Sequence, residues 1–104
     1  MKQGTTPTLI IVLSGALISD LDNYEIVLKQ AGKNEQIIKY QKDRIEVDIE
    51  KNQFKVKMTQ TETLSFCVGI FKIQCRIRFP DGTAFATDIK TLTMDELLSE
   101  DVIE

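Results

Sequence analysis

The sequence predicts an all-β fold, an antiparallel immunoglobulin-like β-sandwich of six or seven strands with short helical turns. Three observations carry that prediction. Phe71, Ile73, Cys75, Ile77 and Phe79 alternate without a break with Lys72, Gln74, Arg76 and Arg78. A period of two over that length marks a strand with one dry face and one wet face. A second alternation runs through Ile45, Val47 and Ile49 and again through Phe54, Val56 and Met58. Turn signals recur every eight to twelve residues, with only brief helical turns signalled between them.

The elements follow in order. Residues 1–6 are a polar lead, and Pro7 suits the first residue of a strand or an edge. Residues 8–13 form an apolar, β-branched run, expected to be buried on both faces or docked as an edge strand between two sheets. Ser14 and Gly15 end it. A helical turn is expected from Ser19. Asp20, Asp22 and Asn23 lack the ligand pattern and the glycine of a calcium loop, and read as turn formers. Residues 24–31 make the next strand, with Tyr24, Ile26 and Leu28 inward. Gly32, Lys33 and Asn34 turn it, and residues 35–41 return with Ile37 and Ile38 competing for the inside.

In the segment 45–58, a two-residue turn at Lys51-Asn52 sets Ile49 against Phe54, Val47 against Val56 and Ile45 against Met58. The same register sets Asp48 against Lys55 and Glu46 against Lys57, so both faces are satisfied. Thr59 followed by Glu62 is a capping box, predicting one helical turn that crosses between the sheets. Cys67 and Val68 are expected inward, with a bend at Gly69. After the strand at Phe71, a three-residue loop of Pro80, Asp81 and Gly82 pairs Ile77 with Phe85, Cys75 with Thr87 and Ile73 with Ile89. A two-residue turn there would bury Asp88 unpaired on the apolar face. From Met94 onward the chain is acidic. Of 16 acids five lie in residues 94–104, so the tail carries −5 and the remainder, with 11 acids against 13 bases, a formal +2. Thr93 and Glu96 repeat the capping pattern, and a short helix is expected.

Length and composition narrow the function classes. A chain of 104 residues, 42% hydrophobic, holds one core. The sandwich is assigned to residues 1–93 and the acidic tail to residues 94–104. A net charge of −3 argues against a general nucleic-acid binder, and Lys72, Arg76 and Arg78 read as a solvated face. The absence of histidine removes the commonest general base and metal ligand. No catalytic residue, cofactor set or metal set is expected, and the chain is read as no enzyme. Cys67 and Cys75 are expected as reduced core thiols. The run 9–13 is too short to span a bilayer and lacks the flanks of a signal peptide. No membrane association is expected, and the location expected is the host cytoplasm, with incorporation in a virion left open.

Three stretches carry a family resemblance: Gly4-Thr5-Thr6-Pro7-Thr8, then Lys57-Met58-Thr59-Gln60-Thr61-Glu62-Thr63-Leu64-Ser65-Phe66, and the acidic end Leu97-Leu98-Ser99-Glu100-Asp101-Val102-Ile103. Together they resemble a family of short proteins encoded by phages and prophages of Gram-positive bacteria, with a GTTPT opening, an LTQxETLxF middle and an acidic tail. This chain departs in Met58 where the family often has Leu, in a longer middle hairpin region and in Ser99. The family has no assigned activity, so the resemblance implies a setting rather than a mechanism. The expectation is a non-enzymatic phage or prophage structural or adaptor protein, acting through protein–protein contacts with itself or other phage proteins. A host-surface or carbohydrate-binding module is the alternative; small-molecule and nucleic-acid partners are not expected. Arg76, Arg78, Glu100 and Asp101 are the candidate contact residues.

Overall fold

The computed structural model describes residues 1–32, 35–98 and 102–103. Its strands are β1 (Thr8–Val12), β2 (Asn23–Gln30), β3 (Gln36–Tyr40), β4 (Glu46–Asp48), β5 (Gln53–Lys57), β6 (Gly69–Arg78), β7 (Ala84–Ala86) and β8 (Lys90–Met94). A six-residue helix, α1 (Gln60–Ser65), lies between β5 and β6, and two 3₁₀ turns cover Ile18–Asp20 and Lys42–Arg44. The strands form two antiparallel sheets, β1-β5-β4 and β3-β2-β6-β7, with β8 also paired to β6. The result is an all-β sandwich with eight strands among the described residues, where six or seven were expected.

The alternating run at Phe71 becomes β6, the longest strand, paired along both edges. Phe71, Ile73, Cys75 and Ile77 are buried, while Lys72, Arg76 and Arg78 are exposed. Tyr24, Ile26 and Leu28 of β2 share that inner face, and Phe54 and Val56 of β5 close the core from the opposite sheet. The Tyr24 and Phe54 rings meet 4.7 Å apart across the layers. Phe66, at the end of α1, stacks on Phe71 at 5.0 Å. Each large apolar side chain so buried contributes about 1.5–3 kcal/mol. The capping box at Thr59 and Glu62 forms in both directions, and α1 does carry the chain between sheets. On β3, Ile38 packs against the core and Ile37 is exposed.

Several expectations need correction. Of the two expectations for β1, the edge position holds, since β1 is the last strand of its sheet, and burial on both faces does not: Ile10 and Val12 are exposed while Leu9 and Leu13 are buried. The β4–β5 register is slipped by two, pairing Val47 with Phe54 and Asp48 with Gln53. A slip of two keeps every side chain on its own face, so alternation could not distinguish the two registers. The turn runs through Ile49 to Asn52, leaving Ile49 exposed, and Asn52 takes a positive φ of 53°. The Asp48–Lys55 ion pair survives on the diagonal at 3.7 Å. Cys67 is exposed because the Gln30 side chain clamps its backbone, accepting from its N–H and donating to its carbonyl at 2.7 Å each.

The loop at Pro80 forms as expected and pairs Ile77 with Phe85, but the register then gains one residue, so Ile73 faces Lys90 and not Ile89. A β-bulge between β7 and β8 absorbs the difference. Thr87 holds it, its carbonyl accepting from the Cys75-side neighbour Gln74 Nε2 at 2.9 Å and its Oγ1 from the Cys75 N–H at 3.0 Å. Residues 90–94 are strand, so the boundary at 93 falls inside β8, and Met94 is fully buried. Thr93 therefore caps no helix, and residues 95–98 and 102–103 are not helical; the rest of the tail lies outside the described residues. Lys2 and Asp95 form a parallel bridge, with the Asp95 N–H donating to the Met1 carbonyl at 2.6 Å.

Candidate functional site

Three strands facing a wider sheet leave part of that sheet uncovered. The 3₁₀ turn Lys42–Arg44 links β3 to β4 and closes one side of the sandwich. Arg44 pins it, its guanidinium over the Tyr40 ring at 5.1 Å and Nη2 bonded to Glu62 Oε1 at 3.0 Å. On the other side β1 is the last strand of its sheet, and β7 and β8 are the last of theirs. Between those two edges runs an open groove of about 570 Å³.

The groove is lined by Ile11 of β1 and Leu13 just after it, and on the other side by Ile73, Ile77 and Phe85 of the larger sheet and Phe79 at the end of β6. Phe85 points to the inner face, opposite Ile77, yet is 58% exposed because no strand lies over it. Its ring meets Phe79 edge-on at 6.0 Å. Lys90 also points inward, opposite Ile73, and is exposed. Asp88, at the bulge, is the other charged residue on the walls. Lys90 has no ion-pair partner among the described residues.

The backbone of β1 completes the site. The Met58 N–H donates to the Pro7 carbonyl and the Leu13 N–H to the Asn52 carbonyl, both at 2.9 Å. With the register Leu9↔Val56, antiparallel alternation turns the N–H and C=O of Leu9 and Ile11 toward β5. The same groups of Thr8, Ile10 and Val12 therefore face away from the sheet, an edge ready to pair with another strand. An extended segment laid beside β1 would gain those hydrogen bonds and cover Phe85 and Ile77 together.

Asn52 fixes the loop that walls one end of this groove. Its Nδ2 donates to the Leu13 and Ala16 carbonyls at 2.8 and 2.7 Å, and its Oδ1 accepts the Ile18 N–H at 2.8 Å. Sequence reading saw only a turn residue. The left-handed tolerance of Asn was the available signal; its bonds to a segment more than thirty positions away were not.

The expected contact residues lie elsewhere. Arg76 and Arg78 stand side by side on the outer face of the larger sheet, bonded to Glu25 at 3.3 Å and Asp22 at 2.6 Å. Both are engaged within the chain and point away from the groove. Glu100 and Asp101 lie outside the described residues. Cys75 is buried beneath the groove; burial first, and Glu25 second, push its thiol up to about 11, keeping it protonated. Tyr40, whose exposure beside a second ring would favour a sugar site, is 1% exposed. Among the described residues no group of three or more Cys, Asp or Glu side chains gathers in a metal-binding arrangement. No helix of the described residues is long and apolar enough to cross a membrane. Neither a protein-family model nor a curated protein sequence matches the chain.

Proposed function

We propose that this chain is a non-enzymatic structural or adaptor protein that works by protein–protein contact, through the open edge of its smaller sheet. The groove between β1 and β7–β8 carries the reading, because it joins unpaired strand backbone to uncovered apolar surface in one place. That combination suits strand addition, in which main-chain bonds give affinity and alternate side chains give selectivity. The phage or prophage setting rests on the resemblance of the three motifs, and with it a place in the host cytoplasm or in an assembled particle. The alternative of a host-surface or carbohydrate-binding module leans on an exposed aromatic pair at Tyr40, which is buried.

The test is Ile10→Pro. Ile10 turns its N–H away from β5, so proline there removes no bond of the sheet and is compatible with an edge. It removes a donor that an added strand needs. The variant is expected to keep the wild-type far-ultraviolet spectrum and to lose association with the proteins of the genetic element that encodes it. Retained association in a folded Ile10→Pro protein would overturn the reading.

A further inference from the structure

Resting on that reading, we infer that the occupant of the groove is the acidic C-terminal segment of a second copy of this chain. The shape of the groove comes first. A folded sheet edge cannot enter it, because β7 and β8 extend beneath the place where an added strand would lie. A second sandwich offering its own β1 would bring its own overhanging β7 and β8 into the first copy's larger sheet. The slot therefore takes a single extended segment, free of a layer behind it.

The chain supplies such a segment. Leu97 packs against Gly4: a Cβ built there would lie 2.6 Å from its Cδ2, so a larger residue would have to push the Leu97 side chain aside. Beyond it Leu98 is fully exposed, and Val102 and Ile103 are exposed as well. One copy thus leaves uncovered both an apolar slot and the apolar side chains of its tail. Seven residues, 98–104, span roughly 23 Å when extended, against roughly 20 Å for the groove between Ile73 and Phe79. In an extended segment Leu98, Glu100 and Val102 share one face. That face suits the groove wall, which is apolar but for one inward cation, Lys90, and Asp88 at the bulge.

Charge enters at one contact: residues 98–104 carry three acids, Glu100, Asp101 and Glu104, and the remaining residues, with 13 acids against 13 bases, are formally neutral, so the pairing that counts is Glu100 with Lys90. Within its own copy the tail is held by Gln60, whose side chain exchanges two bonds with the Ile103 backbone at 2.8 and 2.9 Å. Both bonds are exposed, so releasing them costs little, and pairing along β1 replaces them with main-chain bonds. A single strand makes a small interface, so assembly depends on concentration.

Light scattering of the full chain over rising concentration tests this, with a labelled peptide of residues 98–104 as competitor. Self-association that the peptide disperses is the expected result. Lys90→Glu and Glu100→Lys are each expected to weaken it about fivefold, and the two together to restore it within about twofold. Asp88→Asn is expected to strengthen it. A chain that stays monomeric, or an oligomer indifferent to both charge reversals, would overturn the inference. Should the chain be monomeric while Ile10→Pro still abolishes contact with other proteins, the self-assembly inference falls and the edge-mediated function stands.

Discussion

At the scale of single residues, Asn52, Glu62 and Cys75 show three ways in which a polar group is made part of a small core. Asn52 combines a left-handed backbone with three side-chain bonds. Asn52→Gly keeps the conformation and loses the bonds, and is expected to cost about 2–3 kcal/mol in urea denaturation. Asn52→Ala adds about 1 kcal/mol of backbone strain. Burial tends to raise the Glu62 carboxyl, but the Arg44 guanidinium and the Thr59 N–H together hold it below its ordinary value. A carboxyl depressed in the folded state stabilises fully above its unfolded value and loses that contribution as pH falls through the folded one. Glu62→Gln is therefore expected to destabilise at pH 7, by about 1 kcal/mol given the partial exposure of the Arg44 pair, and the difference from wild type to shrink as pH falls through the depressed folded value. Cys67 is expected to react with a thiol reagent in the native protein, and Cys75 only after unfolding. Equal rates for the two would contradict the burial described.

At the scale of elements, the hairpins show what sequence can and cannot specify. Alternation identified β6 and its inner face, because period two is written in the side chains themselves. The Pro80 loop was legible because its alternative register buries a charge. The β4–β5 register was not, because slips of two cost nothing in side-chain placement, and the deciding bonds come from Asn52 to a distant loop. The bulge after Thr87 was equally silent, since it depends on a hydroxyl taking over a ladder bond. Thr87→Val keeps the shape and leaves the Cys75 N–H without that acceptor. A loss of about 1–2 kcal/mol and faster amide exchange at Cys75 are expected. Of the candidate site, the sequence showed the β1 run, but the groove exists only once β1 and β7–β8 are seen as two edges of unequal sheets. The basic strand face is legible because charge is visible in a sequence and uncovered area is not.

At the scale of the whole molecule, the sheets differ in width, and the exposed backbone follows the wider one's overhang. Amide exchange in the isolated chain is expected to be fast at Thr8, Ile10 and Val12 and slow at Leu9 and Ile11, an alternation that uniform protection would refute. The pairings that build the layers also join distant parts of the chain. Leu9 meets Val56 and Ile26 meets Cys75, 47 and 49 positions apart. Only the hairpins of β2–β3, β4–β5 and β6–β7 are local. Closing loops of that length must precede most of the burial, so folding is expected in milliseconds to seconds rather than microseconds. While a new chain waits for residues 69–78 to emerge, β2 has its hairpin partner but not its other neighbour. During synthesis the interval before β6 arrives is thus when the protein is most exposed to wrong pairing and most in need of a chaperone.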